Sequence, residues 1–269
     1  MKYYASLRPD HNWEYARKCV EAGIQGFEII NLQSYLPREE FQSYLELAEK
    51  AKNELQAGLT VHAPILDVHL GSLNCKIRQV AQTEVRTSLD LARRLEAALV
   101  VVHGAPCILT MPGGKWSKQS FKVSQRDQER VEKQKTNLMR SLKELADGAP
   151  DVLLTAENLV FPHEMYRSPE EMEQLMIGVN RPNFGFTLDV GHALVSGFAA
   201  SDYLNLLGKW LVHVHLHDNY GVIDEHLPLG EGVFDYVGFI QSLKKMGYQE
   251  IVTLEFTLED PGRFSRYLL

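Results

Sequence analysis

Short apolar runs alternate with longer amphipathic stretches along the whole chain. The runs are YYASL (3–7), GFEII (26–30), LTVHA (59–63), ALVVVHG (98–104), VLLTAEN (152–158), FGFTLDVGH (184–192), LVHVHLHD (211–218) and IVTLEF (251–256). Several are unbroken Val/Leu/Ile stretches rather than alternations, as expected of strands buried on both faces of a parallel sheet. Between them, residues 75–96 place Ile77, Ala81, Val85, Leu89 and Ala92 at helical spacing, with Arg78, Glu84 and Arg93 off that stripe. Segments 37–56, 126–147, 169–178 and 234–247 have the same character. Ser168-Pro169-Glu170-Glu171 adds a capping residue, a proline at the first helical position and acids in the first turn.

Eight strand–helix units in roughly 250 residues is the size of a (β/α)8 barrel. The expected fold is therefore α/β, a single TIM barrel over residues 1–269. Its last helix is truncated, because only TLEDPGRFSRYLL follows the final strand. A doubly wound open sheet is the alternative, but no GxGxxG follows the first strand. One connection is unusually long. From Pro106 to Gln125 it contains PGGKWSKQSFK, and loops of that length in a compact domain are usually functional or unstructured. Lys115, Trp116, Lys118 and Lys122 suit a lid over an anionic substrate; a solvated surface loop is the equal alternative.

Composition adds limits. Of 269 residues, 45% are hydrophobic and 23% charged, ordinary for a soluble enzyme. No stretch approaches the ~18 apolar residues of a membrane span, and MKYYASLRPD lacks the apolar centre of a signal peptide. Cys19, Cys75 and Cys107 form no CxxC pair and read as free thiols, so a cytoplasmic location is expected. A net charge of −7 gives no general attraction to nucleic acid and favours multivalent cations over polyanions.

The candidate chemistry lies at the ends of the runs, where barrel enzymes build their sites. The third run carries His62, the fourth His103, the fifth Glu157 and the sixth Asp189, with His192 one turn beyond. The seventh carries His213, His215 and His217, and the eighth Glu255. A lone histidine at a strand end is usually a hydrogen-bonded core residue. Six of eight strands delivering imidazoles and carboxylates to one rim require more, because clustered acids repel unless cations offset them. Zinc, manganese and iron take such ligands. Period two puts His213, His215 and His217 on one face at successive depths, so His213 is expected below the site and His217 above it. Asp224 and His226, two apart in an extended stretch, point the same way.

With these pieces in order, the chain resembles the xylose isomerase-like TIM-barrel superfamily, and within it the endonuclease IV group. The matching segments are VHAPILDVHLGS, VVHGA, AEN, TLDVGHALVSG, HLHD, DEHLPLGEG and LEF, across about residues 59–256. The resemblance implies two or three zinc ions, with manganese, iron, magnesium and cobalt also compatible. One metal would take His62 and His103, a second Asp189, His215 and Glu255, with Glu157 bridging them, and a third His192, Asp224 and His226. It implies hydrolysis of a phosphodiester or phosphate ester by metal-bound hydroxide, without a side-chain nucleophile.

The same superfamily holds sugar and sugar-phosphate isomerases and epimerases. These use one divalent metal on the quartet matching Glu157, Asp189, His215 and Glu255, and the two glutamates are catalytic and shuttle a proton. In those epimerases an arginine usually stands where this chain has Gly221. The duplex-wedging residues of endonuclease IV match only loosely, with Tyr35 and Arg38 in one loop and Ile65 in place of an aromatic in the next. Expected partners are a phosphorylated or sugar-like small molecule, or abasic DNA, and no membrane; the oligomeric state is left open. Lys115, Trp116, Arg167 and His217 are candidate substrate contacts. A non-catalytic metal-binding protein is the third reading.

Overall fold

Strands β1 (Lys2–Leu7), β2 (Gly26–Ile30), β3 (Gly58–His62) and β4 (Val100–His103) pair in chain order with β5 (Leu154–Glu157), β6 (Phe184–Asp189), β7 (Leu211–Leu216) and β8 (Ile251–Leu254). Every pairing is parallel, and β8 returns to β1 to close the barrel. The computed structural model describes residues 1–104, 125–161 and 164–268. Outside the barrel lie α1 (Trp13–Glu21), α2 (Arg38–Leu55), α3 (Cys75–Leu95), α4 (Gln125–Gly148) and α5 (Pro169–Val179). They are followed by α6 (Val190–Ser196), α7 (Ala200–Leu207) and α8 (Tyr236–Lys245). The expected (β/α)8 architecture is the observed one, and a 3-10 turn over Pro261–Arg266 follows the last strand.

Local chemistry sets the helix boundaries. Ser168 accepts from the Glu171 amide at 3.2 Å, with Pro169 opening α5 as its spacing predicts. The sixth apolar run continues past the end of its strand, because Asp189 caps α6 by accepting from the His192 amide at 2.6 Å. The chain therefore turns from strand to helix inside DVGH. Helices α1, α6 and α7 are only 9, 7 and 8 residues long, too short for their periodicity to show.

The outward faces of the strands and the inward stripes of the helices form the aliphatic core. Leu59 and Val61 of β3 and Val100 and Val102 of β4 belong to it, together with Ala81, Val85, Leu89 and Ala92 of α3. Each large side chain buried there contributes about 1.5–3 kcal/mol. Inside the barrel the filling differs from the branched aliphatic layers usual for this architecture. Glu28, Thr60, Thr155, Thr187, His213 and Thr253 are all buried there. Thr60 donates to Glu28 at 2.9 Å, Thr187 to Thr155 at 2.7 Å, and His213 Nε2 meets Thr253 Oγ1 at 2.7 Å. This polar layer is the floor beneath the candidate site.

Candidate metal centre

Glu157, at the end of β5, is the hub. Its Oε2 lies 3.2 Å from His62 Nε2 and 3.2 Å from His103 Nε2, while its Oε1 lies 3.1 Å from His192 Nδ1 and 3.4 Å from His215 Nδ1. His215 Nδ1 is also 3.3 Å from Glu255 Oε1 and 3.8 Å from Asp189 Oδ2. The strand register produces part of this meeting: His103 pairs with Glu157, and a shift between Phe186 and Thr187 brings Asp189 level with His215. To one side, Asp224 Oδ2 lies 3.2 Å from His192 Nε2 and 3.0 Å from His226 Nε2. His62, His103 and Glu157 form one group whose donor atoms lie within 4.8 Å of one another, and His192, Asp224 and His226 form another.

Neighbours hold these groups in place. Asn158 accepts from the Asp189 amide at 2.8 Å and donates to its carbonyl at 2.9 Å. The Asn158 carbonyl also meets His192 Nδ1 at 2.9 Å, so AEN positions two site residues at once. Asp224 and His226 come from a long excursion after β7, which Asp218 fastens. The Asp218 carboxylate accepts from the amides of Asn219, Gly230 and Phe234, each at 2.9 Å, while its main chain bridges to Leu227 in both directions. A Cβ at Gly232 would stand 2.3 Å from Asp218 Oδ1, so LGEG needs its second glycine.

Charge is concentrated here with little solvent to screen it. Burial alone would lower His215 and His192. The acids around them override it, Glu255, Glu28 and Glu157 for the first and Asp189, Asp224 and Glu157 for the second, and hold both well above the usual imidazole range. Burial, with Glu157 and Glu28 nearby, pushes Glu255 up to about 7 against the opposing pull of His215 and His226. His213 lies below, where burial drops it to about 3, so it stays neutral. Two atoms aimed into the site make no aligned hydrogen bond among the described residues: Nδ1 of the fully buried His215, and Asp224 Oδ1. Unpaired nitrogen and oxygen donors converging on common points are the arrangement a divalent cation completes. The residues present fit such ions.

Above this floor opens a cavity of about 570 Å³. The metal-binding candidates His62, His103, Glu157, His192, Asp224, His226 and Glu255 line it, together with Ser6, Arg8, Ile65, Phe161, Phe256 and Thr257. His217 stacks on His226 with ring centroids 3.9 Å apart, and its Nε2 lies 3.2 Å from both Asp189 oxygens. Arg167 is away from the cavity wall. Its amide donates to Glu171 and its carbonyl accepts from the Tyr203 hydroxyl, between α5 and α7. Lys115 and Trp116, with the rest of the lid expected over 106–125, lie outside the described residues except for Gln125, which opens α4. Tyr35 donates to the Leu66 carbonyl, tying the loop after β2 to the loop after β3. Glu28, Asn158, Asp218 and Arg8 escaped the sequence reading. Glu28 had a visible signal, as the single acid in the apolar run GFEII.

Residues 16–264 match the family model described as xylose isomerase-like TIM barrel. An uncharacterised protein of Methanocaldococcus jannaschii is 28% identical over 247 residues, covering 88% of this chain and 76% of its own length. Among solved structures, a D-tagatose 3-epimerase-like protein superimposes with a TM-score of 0.79 at 22% identity, covering 99% of this chain and 94% of that one. A putative xylose isomerase from Rhodospirillum rubrum gives a TM-score of 0.78 at 15% identity, covering 100% and 98%. At such identities the two structures speak for the fold. With the family match running from α1 to the final 3-10 turn, the chain belongs to the xylose isomerase-like TIM barrel family.

Proposed function

We propose that this chain is a divalent-metal-dependent enzyme that isomerises or epimerises a small sugar or sugar phosphate. The observation carrying the reading is the pairing of Glu157 and Glu255. Their carboxylates approach the same His215 Nδ1, at 3.4 and 3.3 Å, and both line the cavity. A divalent cation held by Glu157, Asp189, His215 and Glu255 supplies polarisation of a substrate carbonyl, which acidifies the neighbouring C–H. Glu157 and Glu255 do the proton work: one carboxylate takes the proton from the carbon beside the carbonyl. Its partner returns a proton to the opposite face for epimerisation, or the proton moves to the adjacent carbon for isomerisation.

The rest of the cavity agrees with a small substrate. A volume of about 570 Å³ is within the range of small-molecule sites. Ile65, Phe161 and Phe256 offer apolar faces to sugar C–H groups, and Arg8 is the one lysine or arginine among the described lining residues. The solved neighbours named as an epimerase-like protein and a putative isomerase share the fold and support the same reading.

One observation favours a second reading, hydrolysis of a phosphate ester or phosphodiester, abasic DNA included, at a two- or three-zinc centre. The groups His62–His103–Glu157 and His192–Asp224–His226 flank the quartet, and a one-metal epimerase leaves them without a metal role. The deciding experiment incubates zinc- or manganese-loaded protein in D2O with a panel of ketoses and ketose phosphates. Deuterium incorporation beside the carbonyl, lost in Glu157→Gln and Glu255→Gln, supports the first reading. Phosphate release or nicking of an abasic duplex without any exchange rejects it for the second.

A further inference from the structure

Glu28 lies in the middle of β2, 3% exposed and outside the cavity lining. A buried carboxylate is costly unless an opposite charge accompanies it, and among the described residues no lysine or arginine is paired with this one. Its Oε2 accepts from Thr60 Oγ1 at 2.9 Å, and His213 approaches that oxygen at 3.7 Å while holding Thr253. Its Oε1 faces His215 Nε2 at 3.1 Å.

His215 thus stands between two sets of acids. Nε2 looks down to Glu28, and Nδ1 looks up to Glu157, Asp189 and Glu255. Three other imidazoles of the site are oriented differently, each with one nitrogen turned to a main-chain carbonyl. His62 meets Ala63 at 2.7 Å, His192 meets Asn158 at 2.9 Å and His226 meets Glu255 at 2.8 Å. His215 is backed by a carboxylate instead. An imidazole that gives one N–H to a carboxylate keeps the other nitrogen as a bare, stronger donor with its ring direction fixed.

Resting on the metal centre proposed above, we infer that Glu28 is a positioning residue which holds the proton of His215 on Nε2 and so presents Nδ1 to the cation shared with Glu157, Asp189 and Glu255. Glu28 touches neither cavity nor substrate and acts through His215. Thr60 serves it by fixing the far carboxylate oxygen, which aims the near one at the ring.

The test uses the whole chain loaded with zinc alone. Glu28→Gln keeps the shape and removes the charge. It should leave folding and zinc count intact while one zinc transfers to a chromophoric chelator about 10- to 100-fold more readily. In protein with 15N-labelled histidine, the His215 signal should show a protonated Nε2 in the zinc-loaded wild type and lose that single form in Glu28→Gln. Unchanged zinc transfer and an unchanged His215 signal overturn the inference while leaving the metal centre standing. If wild type itself binds no zinc, and Glu157→Gln changes nothing, the metal centre falls and this inference with it. Should Glu28→Gln fail to fold, Thr60→Val decides, with a several-fold loss expected and no loss overturning the inference.

Discussion

Gly191 and His217 form a pair whose coupling the structure specifies closely. A Cβ added at Gly191 would lie 1.9 Å from His217 Cε1, 2.4 Å from Nε2 and 2.6 Å from Nδ1. Ordinary contact begins near 3.4 Å, so the ring would move by roughly 1.5 Å in a packed interior that has little room. Overpacking of this kind costs about 1–3 kcal/mol. Gly191 is in the first turn of α6, where alanine suits a helix better by up to about 1 kcal/mol. The sign of the substitution therefore depends on its neighbour. Gly191→Ala should destabilise the wild type by about 1–3 kcal/mol, yet be neutral or mildly stabilising in a His217→Ala background, where the ring is gone. Urea unfolding of the four proteins measures the coupling, which should reach about 2 kcal/mol. Additivity within about 0.5 kcal/mol would mean that the added methyl and the His217 ring do not collide. Because His217 Nε2 lies 3.2 Å from both Asp189 oxygens, the same substitution should also weaken zinc retention in the single variant.

Three further outcomes are expected. Asp218→Ala frees three amides of the excursion after β7; on the reading with more than one cation, elemental analysis should show the one on His192, Asp224 and His226 lost with the quartet's retained, and an unchanged count would reject a separate third site. Burial pushes the Cys19 thiol up to about 12, so at pH 8 iodoacetamide should label the exposed Cys75 in the folded protein and leave Cys19 untouched until unfolding, as peptide mass mapping will show. Burial lowers His11 to about 4 from 6.5, so the unfolded chain binds that proton first and stability should fall as pH drops from 6.5 toward 4. His11→Phe, which keeps a ring against Tyr15, should flatten that part of the unfolding curve; equal slopes in both proteins would remove His11 from the explanation.

The barrel was legible because its strands are buried on both faces, and eight apolar runs, several of them unbroken, stand out against the amphipathic stretches between them. The rim was legible for a related reason, since a polar residue ending such a run has one place to go. Glu28 was missed because it sits inside its run rather than at its end. What makes it part of the site is the alignment of β2 with β3, which pairs Glu28 with Thr60. Register between distant segments is a tertiary property that no local window contains. Asn158 was missed because an amide after an apolar run reads as the start of a turn. Its bidentate hold on Asp189 appears only when β5 and β6 lie side by side.

The donors divide by what holds them. Glu157, Asp189 and His215 sit on strands β5, β6 and β7, with Glu255 one residue past β8, and the closed sheet sets their spacing. A shift of any one requires the barrel to deform, which a packed interior resists. Asp224 and His226 are fixed by a loop fastened at Asp218, and His226 takes a left-handed φ of 50° to reach Asp224. That backbone region is disfavoured for a residue with a side chain, and the contacts of His226 with Asp224 and the Glu255 carbonyl offset the strain. A loop built this way can change its ligands with little effect on the barrel, whereas the spacing of the quartet follows from the strand register. A cation on His192, Asp224 and His226 would therefore depend on the excursion after β7, whereas one on His62, His103 and Glu157, or on the quartet, would depend on the strand ends beneath it.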